Sequence, residues 1–397
     1  MDHIVPMPKG FRFAAHDAGF RYKDRDDVAL IVSDVPAAGA GVFTRNLFQA
    51  APVTVAKEHL AAGKPVRAVM INAGQANACT GSQGLANCRE TLALVAERLG
   101  IAPGEILPAS TGVIGPQLKM DIWRQQAPAI AAKLGQSSPL DAAKAIMTTD
   151  GFPKIAWGSV EIDGREVRLL GMAKGAGMIC PNMATMLGCV LCDAEVAPGE
   201  WREALAAAVD ASFNAVTVDG DTSTNDCVLA LANGASGVKI STPDELAALG
   251  AAVNEICQAL AYMIVEDAEG GTKIIRIHVV GAEDNMQAEA AARAVGHSPL
   301  VKTAMFGRDA NWGRIVAALG RSGAEFDPDA VNLAIGGVPV FMNGTPVEGD
   351  LDSLLAPHMR RGEIALDIDL GAGNGEYLLL ASDLTYDYVK INADYRS

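Results

Sequence analysis

Histidine is scarce in this chain, six in 397 residues, and none stands in a recognisable catalytic arrangement. There is no G-x-S-x-G elbow, no H-E-x-x-H pair and no G-x-x-x-x-G-K-[ST] loop, so serine hydrolase, zincin and P-loop chemistry have no support. Glu269-Gly270-Gly271-Thr272-Lys273 holds the residues of half a phosphate loop in the wrong order. Basic residues are also few: 32 against 47 acids leave a formal net charge of −15, which argues against nucleic acid or an anionic membrane as partner. The seven cysteines form no disulfide framework. Cys189 and Cys192 make a C-x-x-C pair with Cys180 nearby, yet zinc would lack a fourth ligand, and an apolar strand-like run does not suit a redox pair. Free buried thiols are expected. No apolar run approaches the roughly 20 residues needed to span a bilayer. The start, Met1-Asp2-His3-Ile4-Val5-Pro6-Met7-Pro8, has neither a basic opening nor a signal-length apolar core, so the expected location is cytoplasmic.

What is present is ordinary globular material, half hydrophobic and one fifth charged, long enough for two or three domains. Val28–Val32, Gly41–Thr44 and Val66–Asn72 read as strands closed by turn residues. Residues 85–99 carry Cys88, Leu92, Val95 and Leu99 at helical spacing, with Gly100 as the stop. Trp201–Val209 is helix-like, and a longer helix is expected from Pro243 to about Asp267, with Val253, Ile256, Leu260 and Met263 on one face. Ile274–Val280, Ile364–Leu370 and Glu376–Leu380 read as later strands. Without a βαβ rhythm, the mixture points to an α+β layered architecture.

One segment stands apart. Lys174-Gly175-Ala176-Gly177-Met178-Ile179-Cys180-Pro181-Asn182-Met183-Ala184-Thr185-Met186-Leu187 leads a threonine straight into the apolar run 186–191. Read alone, it is either a Gly-rich turn feeding a buried strand or a place where the chain breaks. A threonine freed of its upstream neighbour carries its own base, because its α-amine lies within reach of its hydroxyl. That amine has an ordinary pKa of roughly 8, suited to proton transfer near neutrality. The scarcity of histidine fits such a nucleophile. Asp219-Gly220-Asp221-Thr222-Ser223-Thr224-Asn225-Asp226 invites a metal reading but lacks the downstream ligands of a calcium loop, so no metal is expected.

The segment around Thr185 resembles the self-cleavage site of the ornithine acetyltransferase family, bifunctional glutamate N-acetyltransferases of arginine biosynthesis. The resemblance runs from about residue 8 to the end, in order. It continues through Ser110-Thr111-Gly112-Val113-Ile114-Gly115, Met147-Thr148-Thr149-Asp150, Phe213–Asp226, Asp267–Lys273, Ser298–Ala304, Asn311-Trp312-Gly313-Arg314 and Asn392-Ala393-Asp394-Tyr395-Arg396-Ser397. Ala176 stands where the family often has Ser, Ala268 where Gly is frequent, and Gly151 follows the Met-Thr-Thr-Asp turn. These departures touch neither the nucleophile nor the oxyanion positions.

The resemblance implies an α-β-β-α sandwich of the self-cleaving N-terminal-nucleophile, aminopeptidase-like type, with a smaller C-terminal α/β lobe at about 280–397. It implies cleavage at Ala184–Thr185 into chains 1–184 and 185–397, two of each in the assembly. Thr185 is then the nucleophile, and Thr111 with Gly112 the oxyanion pair. Thr148, Lys174, Glu269, Asn392 and Ser397 match substrate-contacting positions. Lys174 suits a substrate carboxylate, and Glu269 either an ammonium or the orientation of the nucleophile. Read without the family, Thr111-Gly112 is a loop after a strand, Lys174 a loop lysine and Glu269 a surface charge. The tyrosines Tyr386, Tyr388 and Tyr395 give the C-terminal segment material to dock. The implied reaction moves acetyl from N-acetylornithine to glutamate with no cofactor, acetyl-CoA being a further donor the sequence leaves open. A self-processing amidase or aminopeptidase, and an uncleaved binding protein, are the alternatives.

Overall fold

The computed structural model describes residues 5–180 and 186–394. The chain divides into two compact units. One takes in Met1–Asn214 and Asp221–Ile264, the other Ala215–Gly220 and Val265–Arg396.

In the first unit the order is β1 (Phe11–His16), β2 (Val28–Phe43), α1 (Ala51–Ala61), β3 (Val66–Asn72), α2 (Gly81–Leu99), β4 (Ile106–Ser110), α3 (Met120–Ala132), α4 (Pro139–Ala145), β5 (Lys154–Ile162), β6 (Arg165–Lys174), β7 (Leu187–Cys192) and α5 (Pro198–Asp210). After β8 (Val216–Thr217), which belongs to the second unit, come β9 (Cys227–Ala232) and α6 (Pro243–Glu266).

Strand β2 organises this unit. Its first half pairs with β1 and β3, its second half with β9. Between Val32 and Ala37 the register against β3 shifts, and Asp34, Val35 and Pro36 turn outward. A proline is tolerated there because a bulge needs no ladder donor. The sequence suggests two strands separated by a loop; the structure has one 16-residue strand that bends. The bend lets two sheet halves face each other. Phe13, Ile31, Val69 and Ile71 from one half share a buried cluster with Leu170, Cys189, Leu229 and Leu231 from the other. The opposite face of the first half buries Leu30, Val32 and Met70 against Leu92 and Val95 of α2 and Trp123 and Ile130 of α3. The outer face of the second half carries α5 and α6. The layers are therefore helix, sheet, sheet, helix.

Local chemistry sets the helix ends. Gly100 adopts φ 67° beyond α2 and returns its N–H to the Ala96 carbonyl. Ser138 caps α4 by accepting from the Asp141 N–H, with Pro139 at the first turn. Among the described residues α6 is the helix long and apolar enough to cross a membrane by those measures, with mean hydropathy 1.5. This modifies the expectation that nothing approaches that length. Val253, Ile256 and Leu260 are buried as the spacing predicts, while Met263 is half-buried and its neighbour Ile264 is buried instead.

The second unit continues with β10 (Ile274–Ala282), α7 (Asn285–Gly296), α8 (Pro299–Phe306), α9 (Trp312–Leu319), β11 (Asn332–Ile335), β12 (Val338–Met342), β13 (Thr345–Pro346), α10 (Leu351–Met359), β14 (Glu363–Asp369), β15 (Gly375–Ser382) and α11 (Tyr386–Asp394). Its sheet runs β13-β12-β11-β14-β10-β15-β8. Gly296 lets α7 sit on this sheet, since a Cβ there would stand 2.7 Å from Leu379 Cδ2. The Lys302 ammonium is buried and donates to the carbonyls of Val218 and Ser382, tying α8 to the ends of β8 and β15. A lobe boundary at residue 280 would cut through β10, which is paired on both sides. The unit begins at Val265 instead and borrows β8 from upstream.

Gly171 allows α6 to approach β6: a Cβ there would lie 2.5 Å from Ile256 Cγ2 and 2.8 Å from Leu260 Cδ1. Leu260 can turn its end aside, but a β-branched side chain on a helix has little rotamer freedom. Gly171→Val should destabilise the protein by about 1–3 kcal/mol. The check is a lower urea midpoint at unchanged m-value.

Candidate active site

Strand β4 ends at Ser110, paired in parallel with Asn72 of β3. The next residues form a loop fastened from several directions. The Thr111 N–H donates to the Asn72 carbonyl at 2.9 Å, and Val113 bridges Gln75. The Ser110 hydroxyl donates to Asn72 Oδ1 at 2.6 Å. From a distant part of the chain, the buried Asn225 amide donates to the carbonyls of Ala76 at 2.6 Å and Ser110 at 2.8 Å. Its own oxygen accepts from Thr224 Oγ1 at 2.7 Å.

Gly112 sits in this frame at φ +125°, and a Cβ there would lie 2.3 Å from the Gly74 carbonyl carbon. No side chain fits. Among the described residues the Gly112 N–H has no hydrogen-bond partner, although its neighbours on both sides do. A free N–H beside a threonine hydroxyl, on a loop that cannot relax, is the equipment of an oxyanion hole.

Lys174, the last residue of β6, brings its Nζ within 3.4 Å of Thr111 Oγ1. Behind it lies Asp150, whose carboxylate is fully buried. Asp150 accepts from the Thr148 N–H at 2.9 Å, from Lys154 Nζ at 2.9 Å and from the Gly175 N–H at 2.6 Å, and stands 3.9 Å from Lys174 Nζ. Burial alone would raise its pKa, but the Lys174 and Lys154 cations and these hydrogen bonds outweigh it and hold the group down at about 2. Asp226 behaves oppositely. Burial pushes its pKa well above the usual carboxylate range, against the pull of Ser223 and of Lys174.

Ala184 and Thr185 lie outside the described residues, as does Ser397. The chain on both sides of 181–185 is anchored in the first unit. Thr222 Oγ1 donates to the Cys180 carbonyl at 3.0 Å, and the Cys227 N–H donates to the Met186 carbonyl at 3.0 Å. Leu187 then begins β7, opposite Lys174 in register.

Of the residues singled out from sequence, Thr148 and Lys174 meet at Asp150 in the first unit, and Lys174 reaches on to Thr111, the neighbour of Gly112. Glu269 and Asn392 meet in the second, where Asn392 Nδ2 donates to Glu269 Oε2 at 2.9 Å. Glu269 is buried rather than a surface charge. The tyrosines behave unequally. Tyr388 OH reaches Asp219 Oδ2 at 3.3 Å, whereas Tyr386 is 85% exposed beside Phe306 and Tyr395 lies outside the described residues. Cys189 and Cys192 lie in β7, and burial pushes both thiols up to about 12, which suits neither metal nor redox work. Sequence reasoning assigned no part to Asp150 or Asn225. Asp150 closes a quoted motif, and Asn225 sits in the segment read for metal.

Asp150 ties acid stability to the site. Its folded pKa lies below the ordinary 3.8, so its contribution is complete above about pH 4 and is lost as pH falls through about 2. The drop attributable to it should be of order 2 kcal/mol. Unfolding free energies between pH 4 and pH 2 should fall less steeply for Asp150→Asn than for the parent; equal slopes would remove the ion cluster as the cause.

The ArgJ family profile matches residues 12–397. Arginine biosynthesis bifunctional protein ArgJ of Nitratidesulfovibrio vulgaris is 62% identical over 390 residues, covering 98% of this chain and 99% of its own. The protein of the same name from Geobacter sulfurreducens is 47% identical over 391 residues, covering 98% and 99%. Among solved structures, a chain of arginine biosynthesis bifunctional protein argJ from Bacillus halodurans is 38% identical with a TM-score of 0.49, over 51% of this chain and 96% of that one. The profile match over residues 12–397 and the 62% identity over 98% of its length place the chain in the ArgJ family.

Proposed function

We propose that the protein moves an acetyl group from N-acetylornithine to glutamate through an ester on Thr185, releasing ornithine and N-acetylglutamate. The observation that carries this reading is the Thr111-Gly112 loop, with a free N–H and a hydroxyl side by side, in a chain whose relatives are named arginine biosynthesis bifunctional proteins.

Processing comes first. The Thr185 hydroxyl adds to the Ala184 carbonyl carbon, the Ala184–Thr185 C–N bond breaks, and water hydrolyses the resulting ester. The products are an Ala184 carboxylate and a free Thr185 α-amine. In the transfer, the Thr185 oxygen bonds to the acetyl carbon of N-acetylornithine and its proton passes to the α-amine. The carbonyl π pair moves onto oxygen, where the Gly112 N–H and the Thr111 hydroxyl receive it. Collapse breaks the bond to the ornithine nitrogen, which leaves with the proton held by the α-amine. Glutamate's amine then attacks the acetyl ester by the reverse sequence.

Thr148, Glu269, Asn392 and Ser397 are taken as substrate-contacting positions on the strength of the family pattern. Glu269, oriented by Asn392, supplies a carboxylate for the ornithine side-chain ammonium. The chemistry asks for no metal or organic cofactor. Because the relatives are named bifunctional, acetyl-CoA is proposed as a second donor to the same ester. The working form is two chains of each kind, in the cytoplasm.

Two measurements test the scheme. The denatured protein should give two masses, for 1–184 and 185–397, while Thr185→Ala gives one mass and no turnover; an active, unbroken 397-residue chain would overturn it. Varying N-acetylornithine and glutamate together should give parallel initial-rate lines. Intersecting lines mean direct transfer in a ternary complex, and the ester would have to be abandoned.

A further inference from the structure

Lys174 sits in surroundings that suit a task other than gripping a substrate carboxylate. Its side chain is 11% exposed, with Nζ 3.4 Å from Thr111 Oγ1 and 3.9 Å from Asp150 Oδ2. An ammonium has donors and no acceptor. Facing it, the Thr111 oxygen can only accept, which leaves the hydroxyl's own proton to point elsewhere. A hydroxyl that accepts from a cation is also a stronger donor.

We propose that Lys174, steered by Asp150, is a positioning residue that polarises the Thr111 hydroxyl as a donor of the oxyanion hole. The idea rests on the acetyltransferase reading of this site and deepens it.

The frame around Lys174 is built for a fixed direction. Its backbone belongs to β6, opposite Leu187 of β7, so the root of the side chain does not swing. Both Asp150 oxygens are engaged, by the Thr148 N–H on one and by Lys154 Nζ and the Gly175 N–H on the other, so the carboxylate cannot turn. Lys154, with a side chain wholly removed from solvent, shares the negative charge of Asp150 with Lys174. Because two cations act on that one carboxylate, Lys174 is not fully neutralised by it and keeps a field toward the charge that forms beyond Thr111. That charge appears only as the carbonyl oxygen becomes an oxyanion, so the benefit falls on the transition state and reads out in kcat. A lysine that held the carboxylate of bound substrate would act on ground and transition state alike and read out in KM.

The experiment is a double-mutant cycle on the self-processed protein, with kcat and KM measured for N-acetylornithine and for glutamate. Thr111→Ala should lower kcat about 10²–10³-fold. Lys174→Met should lower kcat about 10²-fold with both KM values within about threefold of the parent, and should cost less than about threefold more in the Thr111→Ala background. Lys174→Arg, still a donor-only cation, should recover most of the loss. Because Lys174→Met can also impair processing, the cycle is repeated with the paired change Asp150→Asn and Lys154→Met, which leaves Lys174 in place. It too should lower kcat at constant KM, and only when Thr111 is present. Independent, multiplying losses at Lys174 and Thr111, or KM values that rise more than tenfold at unchanged kcat, overturn the proposal while leaving the acetyltransferase standing. A parent protein that processes itself yet makes no N-acetylglutamate from N-acetylornithine overturns both.

Discussion

The Asp150 carboxylate is the constraint on which the first unit's chemistry depends. A bare carboxylate removed from water is costly, and nothing less than a paired, fully hydrogen-bonded setting sustains it. Two lysines and two backbone N–H groups meet that demand. In doing so they bring together three stretches that sequence separates: the turn at 147–150, the start of β5 and the end of β6. The oxyanion-type loop touches this cluster through one atom, Thr111 Oγ1. Any shift in the Asp150 frame would thus reach the loop through Lys174.

The loop itself is rigid for other reasons. Gly112 is wedged against Gly74 so tightly that a methyl group is excluded, and the Asn225 amide spans two carbonyls on either side of it. Electrostatics then complete the arrangement. Asp150 and Asp226 are both buried near Lys174, yet their environments drive them apart: one is held ionised by two cations, the other is pushed toward its neutral form. Lys174 stands between the two, with its ammonium 3.4 Å from the Thr111 hydroxyl.

Much of this was legible in the sequence where local chemistry decides structure. The helix ending at Gly100 and the long α6 from Pro243 follow from period and caps. What escaped were features that only tertiary contacts create. Residues 33–37 look like a loop because Asp34 and Pro36 are poor strand formers, but neighbours on both sides keep β2 continuous through a bulge. The C-terminal unit starts before the expected residue 280 because β10 needs its full length to pair with both β14 and β15. Thr111, Gly112 and Lys174 were legible as a family pattern. Their convergence was not, since the residue that joins Lys174 to the turn at 148 is an aspartate whose partners lie 4 and 24 positions further along the chain.

The position of the expected cut has a consequence for how the two halves stay together. Strand β6 lies before residues 184 and 185 and β7 after them, and the two are paired along six registered positions from Leu169–Cys192 to Lys174–Leu187. On the other side of β7 stands β9, and β9 pairs with β2, which again lies before the cut. The sheet therefore holds two downstream strands, β9 and β7, between upstream strands on both sides. The cluster between the two sheet halves joins both sides of the cut as well, with Ile31 and Val69 packed among Leu229 and Leu231. Breaking one peptide bond in such a weave removes a covalent link but exposes no edge and no apolar face. Separation would need the strand ladders and the core to open together, and that is the barrier to unfolding the unit itself. The chain just beyond the expected cut is fixed by Met186, Leu187 and the ladder they enter.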